Sequence, residues 1–458
     1  MDDPTEIYTE IQNKQIEKDK IQLTEYGLAE SFAKYFGENV RFDHKRNRFL
    51  IWSGSFWEED TDGGIERKMK HLSDILMEKG KTEKNKDLMS WAVRMQTNAK
   101  FNNIKNLIKT IKPIAITGEE FDTKPMLLGV KNGVVDLSTG LLRDGQRNDY
   151  VSMFSPVEFD PVAISGIWEQ FIETTFEGDM ELIHYIQMAL GYSLTGDMGE
   201  QVIFICYGQG ENGKSIFFSV INKILGDYAK TASSNLFKKN LFNTQTNDVA
   251  EIERARFLTN AESIKGAHLD EERIKSISGG DRVTARKLHQ NNFSFYPQCK
   301  IWLYTNNYPK IDDESYGMKR RLRVIEFAHK ITAEERIDNY DLVMMNEAPG
   351  ILNWLVKGCL DWQKEGLKKI PASIDKSTED YYAENNPLND YLEDRTEKDE
   401  EGEVSTSLLY TDYKLWMAER RKTPETQTRF GRLMNQLPYS RIKKSDANYY
   451  VSLKIKNP

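Results

Sequence analysis

VIFICYGQGENGKS, residues 202–215, decides how this chain is read. Val202 to Tyr207 form an apolar run long enough for a buried strand, and a glycine-rich turn follows at once. Gly208, Gln209, Gly210, Glu211, Asn212, Gly213, Lys214 and Ser215 fit the spacing G-x-x-x-x-G-K-[ST], and a helix is predicted over Ile216 to Leu225. Strand, loop and helix in this order make a phosphate cradle. The glycines let the backbone wrap so that N–H groups point inward; Lys214 would reach the β- and γ-phosphates and Ser215 would ligate Mg²⁺. ATP and Mg²⁺ are the expected ligands. The same glycines also spell G-x-G-x-x-G, but a dinucleotide site needs a second strand ending in an acid about 20 residues on. Here LGDYAKTASSN, residues 225–235, reads as a helix end and a polar loop.

Two further apolar strands follow. RFLTNAE, residues 256–262, ends in Glu262, where a P-loop ATPase places a carboxylate to hold Mg²⁺ and orient the attacking water. KIWLYTNN, residues 300–307, carries Asn306 at its tip, able to contact the γ-phosphate or that water. Strands alternating with helices predict a parallel α/β sheet. Between these strands Arg282, Arg286, Lys287 and His289 sit close to aromatics and a turn; beyond them GMKRRLRVIEF carries Arg320, Arg321 and Arg323.

Around this motor the chain divides into a tail (1–20), an α+β module (21–165), the motor with flanking helices (166–370), an acidic linker (371–404) and a basic domain (405–458). RFLIWSGSFWEED, residues 48–60, predicts two strands about Ser53-Gly54, and a lysine-rich helical stretch follows over 66–112. Turn signals at Asn132-Gly133 and Thr139-Gly140 break residues 127–143 into short strands. The last segment reads helix (407–418), helix (427–437) and a hairpin, which predicts a winged helix.

Composition sets the remaining bounds. With 39% hydrophobic and 29% charged residues the chain is globular, not disordered. It has no apolar run that could span a membrane and a polar N-terminus unlike a leader, so a cytoplasmic protein with no membrane partner is expected. The three cysteines are too scattered for a disulfide scaffold or a zinc site, and His71, His184 and His329 lack metal-ligand spacing. The net charge is −8, yet residues 371–404 alone hold 12 acidic and 3 basic residues, and residues 405–458 hold 11 basic and 4 acidic. Local patches, not the total, govern association with a polyanion.

From the cradle to Phe327 the sequence resembles the superfamily 3 helicases, specifically the phage and plasmid primase-helicase branch that includes the poxvirus type. LLGVKNGVVDLSTG, SPVEFDP, LGYSLTGD and PGILNWLVKG extend the likeness to either side. The resemblance implies an AAA-like motor acting as a homo-hexameric ring on DNA, with ATP sites shared between subunits. It gives Asn306 a sensor role, assigns the segment with Arg286, Lys287 and His289 to a DNA-contacting channel hairpin, and makes Arg320 or Arg321 a finger to the neighbour's ATP. Three departures stand out: Asn260 replaces a first acid, Lys319 and Glu326 replace an aromatic and a proline, and the primase module often preceding this motor is absent from the sequence. A separate primase or polymerase partner, encoded by a phage or mobile element in a bacterial host, is therefore expected. Two rival readings are an ATP-switched, DNA-binding initiator that never unwinds and a partner subunit of a separate primase.

Overall fold

The computed structural model describes residues 20–233, 235–239, 246–262, 268–286, 292–311, 316–435 and 437–456. The N-terminal module opens with α1 (Glu25–Phe36), whose N-cap Thr24 accepts the Gly27 N–H at 3.0 Å and whose Leu28, Ala29, Phe32 and Phe36 are buried. A small sheet follows, built from β1 (Val40–Asp43), β2 (Arg48–Trp52) and β3 (Trp57–Glu59). The lysine-rich stretch resolves into three helices, α2 (Gly64–Thr82), α3 (Lys86–Arg94) and α4 (Asn98–Ile108). Strand β4 (Ala115–Ile116) completes the sheet in the order β3-β2-β1-β4. Helices and sheet share one core around Phe32, Phe42, Phe49, Leu72 and Ile104. A meander, β5 (Leu127–Val130), β6 (Gly133–Asp136) and β7 (Leu141–Arg143), leads towards the motor.

Helices α5 (Gly166–Thr175) and α6 (Met180–Ser193) bring the chain to β8 (Ile203–Tyr207), α7 (Lys214–Leu225) and β9 (Ala229–Thr231). Next come α8 (Thr246–Glu251), β10 (Phe257–Glu262), α9 (Glu271–Gly279) and the hairpin β11 (Val283–Arg286) and β12 (Asn292–Phe295). Strands β13 (Lys300–Thr305) and β14 (Leu322–Glu326) finish a five-stranded parallel sheet ordered β14-β8-β13-β10-β9. Alternate side chains of each strand point to opposite faces, and both faces are buried. Phe204, Cys206, Phe257, Trp302 and Ile325 enter the core shared with α6 and α7. Ile203, Ile205, Leu258, Ile301, Leu303 and Val324 enter a second core under α9.

Helices α10 (Tyr340–Met344) and α11 (Ala348–Glu365) return across the first face. Helix α11 crosses α6 at glycines: a Cβ on Gly191 would lie 2.1 Å from the Cys359 nitrogen, and one on Gly358 2.1 Å from the Gln187 oxygen. No side chain fits there. All three cysteines are buried and free.

The acidic stretch 371–404 is not the linker expected from its charge. Helix α12 (Ala372–Glu384) closes the sheet's edge: Thr378 Oγ1 accepts the Val324 N–H at 3.1 Å, and the buried Tyr381 hydroxyl donates to the Pro309 carbonyl at 2.7 Å. Helix α13 (Asn389–Arg395) places Tyr391 and Leu392 in the core of the C-terminal domain. Acidic residues occupy the outer faces of these helices, which composition alone does not distinguish from a solvated chain. That domain continues with β15 (Glu403–Ser405), α14 (Thr406–Glu419), α15 (Gln427–Met434), β16 (Arg441–Lys443) and β17 (Asn448–Val451), its strands ordered β15-β17-β16. The domain therefore starts near Asn386 rather than at residue 405. Among the described residues no helix is long and apolar enough to cross a membrane.

Two buried cations anchor the amino edge of the sheet without a carboxylate partner among the described residues. Arg256 donates to the Leu194 carbonyl at 2.7 Å and lies 4.6 Å from the Tyr228 ring centre. Lys300 donates to the Thr195 and Gln298 carbonyls, the latter at 3.2 Å, with its ammonium 4.5 Å from the Tyr192 ring centre. Burial, reinforced by Arg256, pushes the Lys300 amine down to about 7. In the unfolded chain it holds its proton to about 10.4. Between those values the unfolded state binds more protons, so this group makes stability rise with pH, by at most about 1.4 kcal/mol per unit. Denaturant titrations at pH 7 and pH 9 should show that increment in the wild type and its loss in Lys300→Met. Parallel pH dependences in the two proteins would contradict it.

Candidate nucleotide site and nucleic-acid interface

The strands are parallel, so β8, β10 and β13 end on one edge of the sheet. Thr305 pairs with Tyr207 on one side and with Glu262 on the other. The cradle, Asn306 and the backbone of Glu262 are thus neighbours, as the sequence predicts. The loop leaves β8 at Gly208, whose N–H donates to the Thr305 carbonyl at 3.3 Å, and exposes Gln209. It turns through left-handed backbone at Gly210 (φ 106°), Glu211 (φ 53°) and Gly213 (φ 78°). Gly213 is also the N-cap of α7 and offers no capping side chain, so the first-turn N–H groups and the positive end of the helix dipole face the loop. That arrangement suits an anion.

Lys214 is buried at the centre of this loop. Its ammonium donates to the Gly208 carbonyl at 2.8 Å and lies 3.5 Å from Asn212 Oδ1. Burial lowers its pKa. No carboxylate among the described residues pairs with it, and an ammonium so placed gains most from an incoming anion. Ser215 is exposed on the first turn of α7, beside the loop. A cavity of about 890 Å³ opens over these groups, lined also by Asn306, Phe171, Thr174, His329 and Tyr340. Its size and donors fit a nucleoside triphosphate: Lys214 and the loop N–H groups would hold phosphate and Ser215 would hold Mg²⁺, while the side chain of Glu262 lies outside the described residues. Asn260 has another task. Its amide donates to the Ser233 carbonyl at 2.7 Å, fastening the chain beyond β9.

The segment after β14 was not singled out in the sequence. Asn212 Nδ2 donates to the His329 carbonyl at 3.0 Å and the Ile331 N–H to the Glu211 carbonyl at 2.9 Å, so residues 329–331 clasp the cradle. His329 is held by Glu335 at 3.1 Å. Farther on, Asp341 accepts from Ser219 at 2.8 Å and Lys223 at 2.5 Å, docking α10 on α7, and the Lys223 bond lowers its pKa. No spacing rule marks such a clasp, because its contacts run through the backbone.

Arg320 and Arg321 lie on the opposite edge. The Arg321 carbonyl accepts from Ile203, the first residue of β8, at 2.8 Å. A strand of five residues separates that point from Gly208, about 16 Å at 3.3 Å per residue. Arg320 is exposed and donates to Gln201 Oε1 at 2.5 Å; Arg321 donates to the Gly317 carbonyl at 2.6 Å. The buried Arg323 holds the backbone of Arg320, donating to its carbonyl at 3.0 Å and to the Tyr185 hydroxyl at 3.1 Å. Arg286, exposed at the end of β11, pairs with Asn292 across the hairpin, whose stem buries Ala285 and Phe295. Lys287 and His289 lie outside the described residues.

Residues 29–177 match the family described as D5 N terminal like, and residues 206–321 match a family of unknown function. Over its N-terminal module the chain is thus similar to the D5-type N-terminal family, and neither match spans half of the chain. A candidate helicase of Acanthamoeba polyphaga mimivirus, L207/L206, is 26% identical over 346 residues, covering 69% of this chain and 36% of that protein. Another, 184R of Invertebrate iridescent virus 6, is 22% identical over 420 residues, 80% of this chain and 42% of that protein. The chain spans less than half the length of these relatives. Among solved structures, the apo C-terminal region of NrS-1 is similar at a TM-score of 0.46 and 12% identity, over 91% of this chain and 96% of that one.

Gly213→Ala tests the cradle. A Cβ there would need left-handed backbone, about 1–2 kcal/mol of strain, and would sit 3.0 Å from the Phe171 ring. Nucleotide titration should show affinity falling at least about tenfold while far-ultraviolet circular dichroism stays unchanged. Unaltered affinity would mean the loop does not close on phosphate.

Proposed function

We propose that this chain is an ATP-driven motor that translocates on DNA in viral-type replication, working as a ring, most simply a hexamer, with ATP sites shared between neighbours. The carrying observation is the division of the sheet: the lysine cradle on its carboxyl edge, the arginine pair on its amino edge. An arginine about one strand length from its own cradle would serve another subunit's. The names of the viral relatives, helicase or primase, support the same class of activity.

In this reading Lys214 and the N–H groups at the start of α7 grip the phosphates. Glu262 orients the attacking water and Asn306 contacts that water or the γ-phosphate. Mg²⁺, held by Ser215 and Glu262, would offset charge on the phosphate oxygens. Arg320 or Arg321 of the adjacent subunit would stabilise the charge that builds as the γ-phosphoryl group departs. The hairpin bearing Arg286, Lys287 and His289 would contact a single strand through its phosphates, a salt-sensitive and sequence-indifferent grip. The C-terminal domain, with its strand, two helices and hairpin, has the element order of a winged helix and would dock duplex or origin DNA. That feature also favours the initiator reading, and a strand-displacement assay separates the two. A partner supplying primase or polymerase activity belongs to the same proposal.

Glu262→Gln should bind ATP, hydrolyse it very slowly and stay trapped on DNA, since the amide keeps the shape and loses the base. Normal turnover would place the catalytic acid elsewhere. Arg320→Ala and Arg321→Ala should bind ATP yet lose about 10³-fold or more in hydrolysis. Mixed with inactive Lys214→Ala subunits they should regain part of that rate, because a composite interface joins an intact cradle to an intact finger. A surface cluster predicts near-normal single variants; a finger acting within its own chain predicts inactive variants without rescue.

A further inference from the structure

Helices α2 to α4 carry charge that the motor does not use. Residues 66–112 hold 12 lysines and arginines against 5 acids, a net +7 in a chain whose total is −8. The other residues therefore sum to −15, and this lobe is a positive island. Part of it is internally neutralised: Lys105 pairs with Glu66 and Lys100 with Glu25. Lys109 and Lys112 have no carboxylate partner among the described residues.

The arrangement along α4 is ordered. Asn98, Asn102, Lys105 and the C-cap residue Lys109 recur at spacings of four and three, which places them on one helix face, and the exposed Lys112 follows just beyond. The face runs about 16 Å. Its lysine ammonium groups lie over aromatic rings of the sheet beneath, Lys105 Nζ at 5.7 Å from the Phe49 centre and Lys109 Nζ at 5.1 Å from Phe42. These cation–π contacts fix the charges along the strip. The strip leads to the motor. His44 is hydrogen-bonded to the Lys109 carbonyl at 2.8 Å, and the next residue, Lys45, sets its ammonium 5.7 Å from the ring centre of Phe293 in the hairpin stem.

We infer that the strip formed by Asn98, Asn102, Lys109 and Lys112 is a second nucleic-acid contact, a track that carries the phosphate backbone of a single strand between the N-terminal module and the hairpin. The inference rests on the DNA-motor reading and adds a surface to it. Carboxamides and ammonium groups on a helix face donate to phosphate oxygens without reading bases, as a moving strand requires.

The test uses the full chain with labelled oligothymidine, following anisotropy across a salt series. Lys109→Glu/Lys112→Glu, and the milder Lys109→Gln/Lys112→Gln, should weaken binding at least about tenfold for the charge reversal, with a log–log salt slope shallower by about 0.7 per lost contact. Basal ATP hydrolysis without DNA should be unchanged, which reports an intact motor. Wild-type affinity in both double variants, with binding lost in Arg286→Glu, would overturn the track and leave the motor reading standing; an acidic protein partner for this face would give that result. A loss of affinity with an unchanged salt slope would also overturn it. Failure of the wild type itself to bind DNA would overturn track and motor reading together.

Discussion

A parallel sheet buried on both faces confines polar chemistry to its two edges. Phe204 and Trp302 fill one face of the central strands, Ile205 and Leu303 the other, and neither leaves room for a charged group. What the strands can offer lies where they end. On the carboxyl edge, β8, β13 and β10 deliver the loop with Lys214, then Asn306, then Glu262, in adjacent registers. On the amino edge, the turn before β14 delivers Arg320 and Arg321. The distance between the edges is set by strand length, so a site needing both must be assembled from two copies.

The buried cations show how strictly this is kept. Lys300, Arg256 and Arg323 have no carboxylate partner among the described residues; carbonyls and aromatic faces satisfy Lys300 and Arg256, carbonyls and the Tyr185 hydroxyl Arg323. Lys214 is different. One carbonyl at 2.8 Å and a distant amide oxygen leave much of its donor capacity turned to a cavity. An ammonium in that state is fully stabilised only when an anion arrives, which ties the phosphate preference of the loop to the burial that its glycines impose.

The cradle was legible because its chemistry needs fixed residues at fixed spacing, and strands 202–208, 256–262 and 300–307 because each carries a short apolar stretch before a polar or glycine tip. Two features resisted such reading. The clasp at residues 329–331 works through main-chain groups, which carry no sequence signature. The acidic stretch 371–404 hides helices because their buried positions, Ile374, Tyr381, Tyr391 and Leu392, are few among many exposed acids. From its residues the arginine pair was readable as a basic cluster, the finger role coming from the resemblance alone; its edge became evident from the pairing of β14 with β8.

The amino edge also explains how chemistry in one subunit could reach DNA held by the next. The hairpin precedes β13 and so hangs from the same edge as the arginines. Arg321 Nη2 lies 3.8 Å from where a Cβ on Gly279 would stand, at the point where α9 gives way to the hairpin, and Asp281 opposes the fall that burial and Arg320 impose on the Arg321 pKa. In the proposed ring, a finger drawn towards a neighbour's γ-phosphate would move beside the root of its own hairpin and the charge of Asp281. The sheet between cradle and finger need not deform, and its doubly packed core resists doing so. Coupling would then pass from the cradle of one subunit through the arginines of the next into that subunit's hairpin. Such a route would make each hairpin answer to the nucleotide bound next door, an arrangement that suits sequential action around the proposed ring.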